Sequence, residues 1–416
     1  MRHCVCNKWD RLHLSLQLMS DYPLGVFMDQ LVRNMWYGLP DQRYLEFVAQ
    51  VLGKRGELID PFSRDIGADA YVSRSKLEAE LSQPAHIIIV GFEGSGKTTL
   101  FNALLDRRDS RTLIVGLRLS EVERSEGNCY LSPQLLVSKI FDAYWEYLLY
   151  TPGNCARLLP VLRQDRQWME KLRWFRENYP PLHLQVPDFE LAAWLGDAAS
   201  DVFSPQVHPT SLLRELIRFI TSPLPSQHQS DELSQHVNRI ELLVDEIDQL
   251  PSQTSQIIQE TQRLCTMYPD RFHIKLFVDS RQENQIEEKL KDYTGRDRIK
   301  LYRLPKWDTK ELEQILNTRL KMCFPGEVAE LGWGELIPSD CLGYADRTKF
   351  TQILVDGALR VYDPGVAIAS DAPIHVLRLA QGLITACAGC WEQFGYVPPL
   401  NVEQLDQLVG LYWESI

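Results

Sequence analysis

Gly91, Gly94, Ser95, Gly96, Lys97, Thr98 and Thr99 lie in the stretch AHIIIVGFEGSGKTTL, where glycines, a lysine and two threonines follow an apolar run. Gly91, Gly96, Lys97 and Thr98 keep the spacing G-x-x-x-x-G-K-[ST], and Gly94 adds a further turn residue. Glycines let successive backbone N–H groups curl around phosphate oxygens. A lysine at this place reaches the outer phosphates, and the hydroxyl that follows it ligates Mg2+. The expected chemistry is binding of ATP with Mg2+. Lys97 and Thr98 carry the main polar contacts, and Ser95 and Thr99 complete the phosphate-binding turn.

A second constellation has the acids that such a site needs. IELLVDEID puts Asp245 and Glu246 at the end of an apolar run. Asp245 is expected to hold Mg2+, through water, and Glu246 to polarise the water that attacks the γ-phosphate in line. Asp248 suits a supporting role. Farther on, LFVDSR ends an apolar run on Arg281. A cation there can sense the γ-phosphate if its strand lies beside the one carrying the acidic pair.

These residues need strands that end at one edge and helices that cover both faces. Residues 86–90, 112–117, 240–244, 272–278 and 299–302 read as strands, each nearly continuous in apolar character, with helical segments at 73–81, 100–105 and 252–267 between them. Such alternation predicts an α/β fold with a parallel P-loop NTPase sheet sandwiched by helices. Residues 1–56 form a helical N-terminal region and residues 57–305 the ATPase core. A helical insertion, about 120–238, interrupts that core, and residues 306–416 form a C-terminal helical lid. Asp308 and Glu311 make a capping box at the start of the lid, followed by Leu312, Ile315, Leu316 and Leu320 on one helix face. In the lid segment APIHVLRLAQGL, Pro373 suits a first-turn position, and Pro373 and Arg378 are candidate nucleotide contacts.

Composition narrows the partners. The formal net charge of -12 over 416 residues argues against a surface that grips nucleic acid or anionic lipid as a whole. No apolar run approaches the roughly 18 to 20 residues of a membrane span, and the first residues lack a signal-peptide pattern, so a cytoplasmic protein without membrane contact is expected. The insertion interleaves Arg163, Arg166, Lys171, Arg173 and Arg176 with Trp168, Trp174 and Phe175. These could stack on single-stranded nucleic acid, but an amphipathic helix with its aromatics in a core or partner interface is the favoured alternative. The nine cysteines do not form a disulfide framework. Cys387 with Cys390 and Cys4 with Cys6 have spacings that zinc can use, although core packing accounts better for the first pair. Asn7–Lys8–Trp9–Asp10 matches a guanine-recognition pattern, but no adequate strand precedes it and the acidic strand end has no D-x-x-G.

The series GFEGSGKTTL, IELLVDEID, LFVDSR and APIHVLRLAQGL resembles the STAND division of P-loop ATPases over roughly residues 60 to 390, with Asp371 where the lid motif of that division has glycine. The resemblance implies an ATP-driven molecular switch, of a kind found in defence and conflict systems, that works through self-assembly or a partner protein. On this pattern Lys97, Glu246 and Arg281 are catalytic, Thr98 and Asp245 hold Mg2+, and Pro373 touches nucleotide. The related AAA+ family is the alternative, implying an ATPase that acts on DNA in an oligomeric ring. In that case Arg296 or Arg298 serves as a finger in trans and Arg378 as a lid sensor. A module that holds nucleotide without hydrolysing it is a third expectation.

Overall fold

The structure, a computed structural model, describes residues 71–92, 94–107, 111–121, 130–150, 166–179, 208–222, 237–247, 253–268, 271–291 and 299–323, then 355–356, 373, 375–377 and 379–380. The expected N-terminal helical region, Asn7–Asp10, Arg163, Asp248, Arg296, Arg298, Arg378 and the four cysteines with zinc-like spacing lie outside the described residues.

Helix α1 (Ser75–Leu81) leads to β1 (Ile87–Gly91), all five of whose residues are buried. The glycine turn follows, then α2 (Lys97–Leu105) and β2 (Thr112–Arg118). Among the described residues three helices intervene before the next strand: α3 (Pro133–Tyr150), α4 (Arg166–Asn178) and α5 (Pro209–Thr221). β3 (Arg239–Asp245), α6 (Thr254–Met267), β4 (Phe272–Asp279), α7 (Glu283–Lys291), β5 (Lys300–Arg303) and α8 (Thr309–Cys323) complete the described order.

The strands form one five-stranded sheet in the order β2-β3-β4-β1-β5, every pair parallel. This is the expected α/β architecture, a P-loop NTPase sheet with helices on both faces and a helical insertion between β2 and β3. β4 lies between β1 and β3, so Arg281 follows a strand that neighbours the acidic one, as expected. Among the described residues no helix is long and apolar enough to cross a membrane.

Among the described residues the chain falls into two compact units. One gathers 71–74, Phe92–Thr99 and the residues from Leu304 onward, and the other holds Ser75–Gly91 with Leu100–Arg303.

In the second unit, side-chain alternation gives the sheet two different faces. Ile88, Val115, Val244, Leu276 and their neighbours form one apolar face, packed with α3, α5, α6 and α7. The insertion therefore belongs to the core. Its helices meet through aromatic contacts, with Phe141 stacked on Phe175 at 5.6 Å between centroids and Trp168 tilted on Phe219 at 5.3 Å. Three basic residues of α4 are likewise engaged: Lys171 pairs with Glu215, Arg173 is buried, and Arg176 lies 5.6 Å over the Trp145 ring. Trp168 and Phe175 are thus core residues that cannot stack on bases, as the amphipathic-helix alternative expects, while Trp174 is half-buried.

On the opposite face Phe101 of α2 meets Phe277 edge-on at 5.7 Å. Gly116 allows this approach, since a Cβ there would lie 3.1 Å from Leu105 and 3.2 Å from Phe101. This face departs from the expected apolar continuity. Lys275, fully buried in β4, pairs with buried Glu241 of β3, and Arg239 donates to the Thr112 hydroxyl at 2.7 Å. Burial pushes the Lys275 ammonium below the usual lysine range, and the Glu241 carboxylate only partly offsets this.

Candidate nucleotide site

The glycine turn belongs to the first unit. Gly94 and Gly96 have φ of 76° and 90°, in the left-handed region that a side chain disfavours, which explains glycine at both places. The Ser95 amide closes the turn by donating to the Phe92 carbonyl at 3.1 Å, and the Lys97 ammonium donates to the same carbonyl at 2.9 Å. Ser95 is buried, and its hydroxyl has no hydrogen-bond partner among the described residues. Thr98 and Thr99, both half-buried, stand in the first turn of α2, where backbone N–H groups are free of intrahelical partners. An enclosed hydroxyl, an ammonium and a helix start supply donors for an anion. The donor set fits a phosphate group.

Two residues that sequence reasoning missed brace this turn. The Trp307 indole N–H donates to the Ser95 carbonyl at 3.0 Å, and its Cζ2 lies 3.3 Å from where a Cβ on Gly96 would stand. Arg74 packs over that ring, its guanidinium 4.2 Å from the centroid. It donates to both Glu311 carboxylate oxygens, at 2.9 and 3.1 Å, and to the Pro305 and Lys306 carbonyls at 3.0 and 2.9 Å. Glu311 also accepts from the Asp308 amide at 3.0 Å, while the Asp308 carboxylate accepts from the Glu311 amide at 2.8 Å, so the expected capping box is formed. The available signal was a tryptophan directly before the capping box. Its target could not be read from the chain order.

Trp307 gives the turn an optical reporter. An anion that draws Lys97 from the Phe92 carbonyl rearranges backbone beside the indole. Mg-ATP is therefore expected to change tryptophan emission in the wild type, and the change should disappear in Trp307→Phe, with ATP affinity lowered by about threefold for one lost hydrogen bond. An undiminished emission change in Trp307→Phe would refute the assignment.

The strand ends belong to the second unit. Gly91 stands in register with Asp279, and Arg118 with Asp245, so these strands finish at one edge. Asp245 and Glu246 are both buried there. Glu246 has φ of 66°, the one non-glycine residue with positive φ among the described residues. Holding a side chain in this region costs about 1–3 kcal/mol and needs support from its surroundings. Ser120, in the 3-10 turn after β2, donates its hydroxyl to the Glu246 carboxylate. Ser120 also went unnoticed in the sequence, because 126 residues separate the pair.

Arg281 follows β4, but its guanidinium is engaged locally. Buried Asp279 accepts from the Arg281 amide and Nε, each at 2.8 Å, and from Nη2 at 3.2 Å, while the arginine side chain remains 70% exposed. The neighbouring Ser280 hydroxyl is enclosed without a partner among the described residues. Thus Ser280 keeps unused hydrogen-bonding capacity where sequence reasoning placed the arginine. Pro373 is a buried helical residue of the first unit.

No group of three or more His, Cys, Asp or Glu side chains suited to a metal occurs among the described residues. Mg2+ in nucleotide sites needs no such cage, since one carboxylate, a hydroxyl, water and phosphate oxygens suffice. Thr98 in the first unit and Asp245 in the second each carry an oxygen of that kind.

No protein-family model matches the chain, and no curated protein matches it. Among solved structures it is similar to the Aeropyrum pernix ORC1 protein in complex with DNA, at 12% identity and a TM-score of 0.36, over 86% of this chain and 69% of that one. Drosophila ORC bound to DNA matches at 13% identity and 0.39, over 90% and 70%. The Aeropyrum pernix ORC2 protein in ADPNP–ADP complexes matches at 14% identity and 0.34, over 91% and 71%. These findings give no support to the STAND placement expected from the sequence motifs. Likenesses this distant carry no argument about activity or partner.

Proposed function

We propose that the chain is a P-loop ATPase that binds Mg-ATP and hydrolyses it. The observation that carries this is the turn at Gly94 and Gly96, with its enclosed Ser95 hydroxyl and inward-held Lys97. Lys97 and the first turn of α2 bind the phosphates, and Thr98 and Asp245 hold the metal. Bound Mg2+ neutralises charge on the phosphates. Glu246, held by Ser120, orients the attacking water and takes its proton. Ser280 and Arg281 are the candidates for sensing the γ-phosphate, while Pro373 and Arg378 are nucleotide contacts from the segment after α8.

Calorimetric titration of Mg-ATP tests the binding step. Lys97→Ala should weaken Mg-ATP by roughly 10- to 50-fold, the effect of removing one charge-assisted contact to phosphate. Equal affinity in wild type and variant would sink the assignment of the turn.

For the output, we favour an AAA+-like ATPase that assembles and acts on DNA over a STAND-like signalling switch. With the STAND placement unsupported, the alternative read from the sequence makes DNA the first partner to test. Fluorescence anisotropy with a duplex, over a salt series and with Mg-ATP present, measures that step, because phosphate contacts reveal themselves by their salt slope. Trp168 and Phe175 of α4 are excluded as the contact surface by their burial.

A further inference from the structure

Within the second unit, the sheet edge opposite the acidic strand ends carries a cleft of about 350 Å3. It opens between the last turns of α5 and α6 and the start of β4, a strand length of roughly 23 Å from Asp279. Arg214, Arg218 and Arg271 line it, over a floor that includes Ile217, Met267 and Tyr268. None of the described lining residues is acidic.

Arg214 and Arg218 are one turn apart on α5, and both are exposed. Neither guanidinium forms a hydrogen bond or ion pair among the described residues. Arg271 is fixed in place, donating to the Thr221 carbonyl at 2.6 Å and to its hydroxyl at 3.2 Å. Tyr268 is fixed too, its hydroxyl donating to the Thr210 carbonyl at 2.8 Å. The two helix C-termini bring about half a negative charge each, so with three guanidinium groups the described lining carries about +2. Capping of α5 explains Arg218 in the last turn. It does not explain Arg214, one turn earlier, because the dipole effect fades within a single turn.

We propose that this cleft binds a small organic phosphate of about mononucleotide size, independently of the glycine turn. The phosphate lies among Arg214, Arg218 and Arg271, whose planar forks match its oxygens. The organic part rests on Ile217, Met267 and Tyr268. Cleft volume and apolar floor favour such a ligand over a nucleic-acid backbone, which needs an extended basic track. They also favour it over free inorganic phosphate, which has no use for the floor.

The test uses the full chain carrying Lys97→Ala, so that the glycine turn contributes little, and calorimetry at low salt with AMP as the probe. AMP is expected to bind, inorganic phosphate to bind at least about tenfold more weakly, and Arg214→Gln/Arg218→Gln to lower AMP affinity by more than about tenfold. Both positions are exposed on a helix, so the unfolding transition of the double variant should stay close to that of its parent, and Arg271 is left intact because it anchors α5. The proposal fails if AMP does not bind at millimolar concentration, if phosphate alone binds as well as AMP, or if the double variant binds AMP unchanged. Tighter binding of a single-stranded oligonucleotide, lost in the same variant, would also overturn it in favour of nucleic acid.

Discussion

Replacing Glu246 with glutamine is expected to lower ATP turnover by about 10²- to 10³-fold while Mg-ATP affinity changes by less than about threefold. Glutamine keeps the size of the side chain and an oxygen that can accept from Ser120, but it cannot take a proton. The left-handed backbone at Glu246, φ 66°, is unchanged by the substitution, so its strain is common to both proteins. Steady-state phosphate release and calorimetric binding, measured on the same preparations, separate the two effects. A variant that hydrolyses ATP at the wild-type rate would remove Glu246 from the chemistry. A variant that no longer binds nucleotide would show that the residue acts on the ground state.

Lys275→Met is expected to destabilise the protein by about 3 kcal/mol, because it leaves the buried Glu241 carboxylate without its main partner. Arg239, 3.6 Å from Glu241, offers limited compensation because it also donates to Thr112. This places the loss at the lower end of the usual range. Glu241→Leu combined with Lys275→Met should recover most of the loss, since two apolar side chains replace two desolvated charges. Urea unfolding of the wild type, the single variant and the double variant measures this. If the single variant matches the wild type, the pair is not a buried partnership.

The pair also predicts a pH effect. The folded Lys275 pKa lies below the unfolded value of 10.5, so between the two the unfolded chain binds more protons. The penalty is complete below the folded pKa and is relieved as pH rises through it towards 10.5. The wild type should therefore gain stability from this group on alkaline titration, and the double variant should not.

The five strands were legible because parallel strands covered on both faces must be apolar almost throughout, and sequence limits fell within one residue of the structural ones at most ends. FHIKLFVD was read correctly despite its histidine and lysine, yet the lysine's partner was hidden. Glu241 and Lys275 are diagonal neighbours through the β3–β4 register, which sets Glu241 opposite His273 and which periodicity does not encode. The glycine turn and acidic strand end were equally plain, since local spacing defines both. Trp307, Arg74 and Ser120 were not, because each acts on residues more than a hundred positions away. For the insertion, an amphipathic pattern revealed an apolar face without revealing what it covers. Phe141, Phe175 and Phe219 come together from three separate helices.

The burial of those rings bears on how the protein can be trimmed. An engineered minimal form, made by splicing out the chain between Arg118 and Arg239, would delete α3, α4 and α5 and uncover the sheet beneath α3 and α5. Leu113, Val115, Leu242 and Val244 would then face water as a contiguous apolar patch, and such a product should aggregate instead of hydrolysing nucleotide. Shortening this protein would therefore require new residues on β2 and β3 as well as a cut.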